Sequence, residues 1–318
     1  MDILKQLEAF GIVPVVKLDD AGRAVPLAKA LCRGGLACAE ITFRTAAAEN
    51  AIRDIAKNVP ELLLGAGTVL TAGQAEAAAG AGARFIVTPD FNPEVIKYCA
   101  DKGITVIPNA SSPSEVARGA AMGLSVLKFF PAEACGGLPM IKALSGPFPR
   151  VRFMPTGGID LKNLAEYAAC PLVAACGGSF MVRDFLINEG RFDKITELAR
   201  EAVRAVMGFE FRQLGINAAS SDEAEAAARF FSGLFGFAGA DGGAYVAMPG
   251  LEFTQGPSPG DKGHIGVSAN SAFRAYEYLK RLGVEFDEST ARADADGRLR
   301  SVYLKARVAG FAVRITGK

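Results

Sequence analysis

Along the chain the hydrophobic positions follow two periods. Short apolar runs at Ile12–Leu18, Ala37–Phe43, Leu62–Val69, Arg84–Pro89, Ile104–Pro108, Val126–Phe130, Arg152–Pro155 and Leu172–Ala175 have the length and content of buried strands. Between them lie stretches of helical period, several with start signals. Thr71-Ala-Gly-Gln74 and Ser112-Pro-Ser-Glu115 read as capping boxes, Pro93 and Pro113 occupy first-turn positions, and Asn92 and Asp160 can cap. Eight strand–helix units within about 200 residues predict an α/β fold, a parallel (β/α)8 TIM barrel, with a doubly wound open sheet as the alternative. Phe192–Met207 closes the series as an amphipathic helix, apolar at Ile195, Leu198, Val203 and Met207, with Gly208 as its C-cap.

The pattern changes after residue 208. All six Cys precede that point, whereas 14 of the 27 Phe and Tyr residues follow it. We place the boundary at 208–211, giving a barrel domain over 1–208 and a smaller α+β domain over 209–318. The second domain carries an internal repeat: Gln213-Leu-Gly-Ile-Asn-Ala-Ala-Ser aligns with His264-Ile-Gly-Val-Ser-Ala-Asn-Ser. Each copy runs into a helix, Asp222–Phe235 and Ala272–Leu282, ending at Gly-Phe or Gly-Val. Strand-like segments follow: Ala244–Met248 and Leu251–Gln255 in the first copy, and Glu285–Ala291, Leu299–Ala306 and Phe311–Thr316 in the second. The result is a tandem βαβββ-like pattern.

Composition narrows the chemistry. A chain of 318 residues, half of them hydrophobic and 22% charged, has the balance of a soluble globular protein. A net charge of +1 and a pI near 7.5 argue against nucleic-acid and membrane-surface partners, both of which favour a basic field. The apolar runs fall short of a membrane span, and MDILKQLEAF reads as the start of an amphipathic helix rather than a targeting segment, so a cytoplasmic location is expected. The single His, His264, leaves no set for a His-based zinc site, proton relay or Ser-His-Asp triad. Cys32, Cys38, Cys99, Cys135, Cys170 and Cys176 form no C-x-x-C pair and are expected to be reduced core residues. The chemistry therefore falls to Lys, Glu, Arg or backbone amides.

In a barrel, catalytic side chains sit at the C-terminal strand ends. Alternation in Ala39-Glu40-Ile41-Thr42-Phe43-Arg44 sends Glu40 and Arg44 to the face opposite Ile41 and Phe43, either as functional groups or as a structural ion pair. Lys128, within Val126-Leu-Lys-Phe-Phe130, sits in an apolar run where lost solvation favours the neutral amine that a Schiff-base nucleophile needs. A structural pair with Glu40 is the bland alternative. Leu64-Gly-Ala-Gly-Thr68 offers glycines for close approach to a ligand, with Thr68 on the alternation face of Leu64 and Ala66. Thr156-Gly157-Gly158 and Gly177-Gly178-Ser179, each leading into a helix, have the form of a phosphate cradle.

The runs GIVPVVK, AEITFRT, GAGTVL, FIVTPDFNP, LKFFPAE, PTGGI and GGSFMV, in this order over residues 3–206, resemble the 2-dehydro-3-deoxy-phosphogluconate / 4-hydroxy-2-oxoglutarate aldolase family. That resemblance implies class I, pyruvate-dependent aldol cleavage of a 2-oxo acid on a (β/α)8 barrel, with no metal or other cofactor and a homotrimeric assembly. It implies Lys128 as the Schiff-base lysine and Glu40 as the general acid/base. Arg44 and Thr68 would hold the pyruvyl carboxylate, Thr156, Gly157, Gly158, Gly178 and Ser179 the phosphate end, and Lys17, Pro89 and Phe130 the rest of the substrate site. Asp90 and Asn109 depart from the family, where Gly is usual at each, and a side chain there would shrink or re-polarise the pocket. A shorter or unphosphorylated 2-oxo acid is thus an alternative substrate. Two other functions stay open: an isomerase or synthase on the same barrel, and a non-catalytic 2-oxo acid sensor. The tandem repeat resembles the glyoxalase-like (vicinal oxygen chelate) fold, whose metal-binding members place His at module starts and Glu in later strands. Here those positions hold Gln213, His264, Glu252 and Arg314, which do not make a metal site.

Overall fold

Eight short parallel strands carry the first part of the chain: β1 Ile12–Val16, β2 Cys38–Thr42, β3 Leu63–Gly67, β4 Phe85–Val87, β5 Thr105–Ile107, β6 Val126–Phe129, β7 Arg152–Pro155 and β8 Cys176–Gly178. The computed structural model describes residues 1–236, 245–248, 250–255 and 259–318. Six strands form one parallel sheet in the order β5-β4-β3-β2-β1-β8, and β6 and β7 form a parallel pair. Single bridges flank that pair, Asn109 to Lys128 on one side and Phe153 to Val173 and Thr156 to Gly177 on the other. Most strand residues are buried on both faces, which explains why the strands read as continuous apolar runs. Phe85, Phe129, Phe153, Ile41 and Leu64 are among the largest fully buried side chains.

The helix starts follow local hydrogen-bond chemistry. Ser112 makes a complete capping box with Glu115, and Asn92 accepts from the Glu94 and Val95 amides. The other expected box is half made: Thr71 caps the Gln74 amide, but Gln74 reaches back to the Leu70 amide instead. Asp160 caps a turn through the Lys162 amide, and the next helix starts later, at Leu164. The apolar run Leu172–Ala175 lies just ahead of the strand it predicts. The strand itself is the glycine-rich Cys176–Gly178, held by register with β1 (Ile12 to Cys176, Pro14 to Gly178). Glycine has little strand preference of its own, so this element is set by its neighbour.

The chain divides into two compact units, Met1–Val206 and Met207–Lys318. The second is a seven-stranded sheet of β9 Glu210–Ala218, β10 Tyr245–Met248, β11 Leu251–Gln255, β12 Gly263–Ala269, β13 Phe286–Ala293, β14 Leu299–Val308 and β15 Phe311–Gly317, ordered β10-β11-β9-β12-β15-β14-β13. Ala244 and Phe237, expected in a strand and at a helix end, lie outside the described residues. The repeats meet at the antiparallel β9–β12 pair, and each module then adds a parallel neighbour, β11 beside β9 and β15 beside β12. Among the described residues the first module is βαββ and the second βαβββ. Helix 221–235 packs on Ile216, Ala218 and Phe253, and helix 272–281 on Ala269, Val302 and Ile315. Both helices thus cover one face of the sheet. Among the described residues no helix is long and apolar enough to cross a membrane.

Candidate active site

Lys128 is tied by two backbone hydrogen bonds to the segment that follows β5. Its amide donates to the Pro108 carbonyl at 2.9 Å and its carbonyl accepts from the Ala110 amide at 2.9 Å. Lys128 is 5% exposed and places Nζ 3.7 Å from Glu40 Oε1, with Glu40 fully buried on β2. That distance is beyond hydrogen-bond length, and neither Glu40 oxygen accepts a hydrogen bond from any protein group. A purely structural buried ion pair is stable only when its lone pairs are satisfied. A carboxylate left open beside an amine is instead poised to exchange protons with a third party.

Glycines shape this centre, though not by admitting ligand. A Cβ on Gly67 would stand 1.8 Å from Glu40 Oε1, and one on Gly65 would stand 2.2 Å from the Phe85 ring. These positions make room for side chains of adjacent strands. The alternation expected at Thr68 also fails. β3 ends at Gly67, and Thr68 turns into the left-handed region at φ 55°, which a β-branched residue seldom adopts. That turn brings Thr68 Oγ1 to 3.4 Å from Arg44 Nε.

Beside the pair lies a cavity of about 300 Å³ lined by Lys17, Arg44, Phe130, Thr156, Gly157, Gly158 and Ser179, together with Val15, Ile159, Gly177, Val182, Arg183 and Asp184. Lys128 and Glu40 do not line it. Phe130 links the two, since it lines the cavity and its ring centroid is 5.5 Å from Lys128 Nζ. The Lys17 ammonium donates to Asp19 and Asp184 at 3.1 and 3.2 Å, and these two hydrogen bonds, Asp19 first, raise its pKa. Gly157 and Gly158 adopt φ 95° and 80°, and a Cβ on either would strike Phe130 or Glu133. Gly177 leaves space for Thr156 in the same way.

Some expected residues fall elsewhere. Gly178 is paired to Pro14 on β8, and its neighbour Gly177 lines the cavity in its place. Pro89 is half-buried and outside the cavity wall. Neither departure enters the cavity: Asp90 is exposed, and Asn109 is 7% exposed with its Oδ1 accepting from the Phe130 amide at 2.8 Å. Arg183 and Asp184 were not anticipated. They follow directly on GGSFMV, a polar dipeptide after an apolar run, but the Lys17–Asp184 contact spans 167 positions and has no local signal.

In the second unit Gln213 Nε2 donates to Glu252 Oε1 at 2.7 Å and lies 3.0 Å from His264 Nε2, which is itself 3.0 Å from Glu252 Oε1. The fourth aligned position is the cation Arg314. Among the described residues no group of three or more His, Cys, Asp or Glu side chains could hold a metal ion.

A buried lysine and an open carboxylate at the C-terminal ends of parallel strands, beside a cation-lined cavity, form the constellation of a Schiff-base lyase. The chain belongs to the KDPG and KHG aldolase family, whose model matches residues 3–198. It is 49% identical over 204 residues to 2-dehydro-3-deoxy-phosphogluconate aldolase of Treponema pallidum, covering 64% of this chain and 97% of that protein. To KHG/KDPG aldolase of Escherichia coli it is 45% identical over 192 residues, covering 60% and 90%. Among solved structures it is similar to KDPG aldolase from Legionella pneumophila with pyruvate captured as a covalent carbinolamine, at TM-score 0.61 and 40% identity over 63% of this chain and 98% of that one. The aldolase of Zymomonas mobilis with 3-phosphoglycerate follows at TM-score 0.59 and 37% identity, over 63% and 95%.

Proposed function

We infer that this chain is a Schiff-base aldolase that cleaves 2-dehydro-3-deoxy-6-phosphogluconate to pyruvate and glyceraldehyde 3-phosphate. Neutral Lys128 Nζ attacks the C2 ketone, and the carbinolamine loses water to give a protonated imine. A base removes the C4 hydroxyl proton, the C3–C4 bond breaks into the imine as electron sink, and the aldehyde leaves. The enamine takes a proton at C3, and water then releases pyruvate and the free amine. Glu40 carries these protons, because its two oxygens are unengaged and lie within reach of Nζ. Arg44, with Thr68 beside it, holds the carboxylate. Lys17, Thr156, Ser179, the Gly157-Gly158 turn and the Gly177-Gly178 end of β8 hold the phosphate, with Phe130 and Pro89 completing the substrate site.

The observation that carries this reading is the buried Lys128–Glu40 pair with an unsatisfied carboxylate. Asp90 and Asn109 stay off the cavity wall, which supports a phosphorylated substrate over a shorter one. Single bridges on both sides of the β6–β7 pair support reading the eight strands as a closed TIM barrel over 1–208. The paired modules over 209–318, meeting at β9–β12, support a glyoxalase-like domain. A cytoplasmic homotrimer completes the picture on the family resemblance alone. Borohydride reduction in the presence of pyruvate is expected to add one pyruvyl group at Lys128, read by peptide mass, and Lys128→Ala to abolish it. No adduct under saturating pyruvate would sink the proposal.

A further inference from the structure

Buried side-chain atoms without a protein hydrogen-bond partner occur at two places among the described residues. Two are the Glu40 oxygens. The others are Arg314 Nε, His264 Nδ1 and Thr316 Oγ1, all in the second unit. Native proteins rarely leave such atoms open, so their clustering marks a site.

The sheet register shows why they cluster. Across β9–β12, Gln213 pairs with Gly266 and His264 with Gly215, a reciprocal arrangement about a local two-fold. His264 lies over Gly215, where a Cβ would be 2.2 Å from its ring, and Gln213 lies over Gly266, where a Cβ would be 2.6 Å away. One strand further out, Glu252 pairs with Gly215 and Arg314 with Gly266. Glu252 and Arg314 are thus equivalent positions of opposite charge. Strand alternation sends Glu252, His264, Arg314, Thr316, Ser301 and Tyr303 to the face opposite the two helices. That face would ordinarily be solvated, yet His264 and Ser301 are each only 3% exposed.

Within this set the Glu252 carboxylate is satisfied, by Gln213 and His264. The Arg314 guanidinium donates one Nη2 hydrogen bond to Ser301 at 3.0 Å and lies 5.8 Å from the Tyr303 ring centroid. Among the described residues it has no carboxylate partner, and its Nε–H has no acceptor. A partly enclosed guanidinium anchored at one nitrogen, beside an aromatic ring, is a receptor for a carboxylate. The nearby Glu252 charge disfavours a dianion at the same place.

We propose that the helix-free face of the second unit binds a small monocarboxylate on Arg314, beside Tyr303. This stands on the sheet register and the open donors, independently of the aldol reaction. Equilibrium dialysis of the full-length chain against radiolabelled acetate tests it. Saturable binding should persist in Arg44→Ala, which disables the other carboxylate site, and weaken by about tenfold or more in Arg314→Gln, as expected for loss of a charge-assisted hydrogen bond. Arg314→Lys should recover part of it. In carboxylate-free buffer Arg314→Gln should unfold at the same or a higher temperature, because an unpaired charge is removed, and should leave pyruvate release unchanged. Acetate binding equal in Arg314→Gln, or tighter binding of inorganic phosphate than of acetate, overturns the proposal. So does a lowered unfolding temperature in that variant, or stoichiometric Zn2+ retention lost in His264→Ala.

Discussion

A lysine inside an apolar strand breaks the rule that charges stay at the surface, and that breach made Lys128 legible in the sequence. Glu40 was legible for the same reason, as a carboxylate between Ala39 and Ile41. What could not be read is which residue each glycine serves. Gly67 exists for Glu40 and Gly65 for Phe85, and both partners come from other strands. Two variants separate these roles. Glu40→Gln keeps the shape and removes the carboxylate proposed to carry the protons, so kcat for pyruvate release is expected to fall by about 10²–10⁴-fold while borohydride trapping at Lys128 survives. Gly67→Ala must displace the Glu40 side chain, since its Cβ would sit 1.8 Å from Oε1. It should lower kcat similarly and also cost about 1–3 kcal/mol of stability by overpacking, seen as an earlier denaturant midpoint. A Gly67→Ala chain with full activity would show that Glu40 can perform its role from another position.

At the scale of elements, the sequence succeeded where periodicity is local and failed where pairing decides. The helix Phe192–Met207 and strand Arg152–Pro155 are found with the expected bounds. β8 was misplaced because Cys176–Gly178 owes its conformation to β1, and Thr68 because its strand, expected to reach Val69, stops at Gly67. Asn109 belongs to the same class. Its sequence position at a strand end predicted a pocket side chain, whereas its Oδ1 ties the end of β5 to the Phe130 amide. Asn109→Ala leaves that partly buried amide without its acceptor and should cost about 1–3 kcal/mol. Because Phe130 stands beside Lys128 Nζ, loosening it should raise KM for the phosphorylated substrate, checked by steady-state kinetics beside the unfolding curve. The capping box is a control outside the cavity wall: Ser112→Ala should lose about 1 kcal/mol with kinetics unchanged.

For the molecule as a whole, two kinds of buried titratable group set opposite limits on stability, one in each unit. Burial raises the Cys32 and Cys99 thiols of the first unit to about 11 from an ordinary value of 9.0, with Glu61 adding to the effect at Cys32. Folded thiols hold their protons where unfolded ones release them. Their contribution is therefore complete below pH 9 and is lost as pH rises from 9 towards 11. In the second unit His264 is lowered below 6.5, first by burial and then by Arg314, against the Glu252 carboxylate at 3.0 Å that favours its charged form. The other group facing it is Tyr303, whose hydroxyl burial raises. The unfolded imidazole gains a proton as pH falls below 6.5 and the folded one does not. Stability is therefore full above 6.5 and declines on acidification. Hydrogen exchange followed by peptide mass separates the two limbs: protection should fall first in residues 210–218 and 263–269 below pH 6.5, and first in strands β1–β5 above pH 9. His264→Gln should flatten the acid limb alone and Cys99→Ala the alkaline limb alone. An acid limb of unchanged slope in His264→Gln would assign the loss to carboxylates elsewhere and remove the histidine from the account.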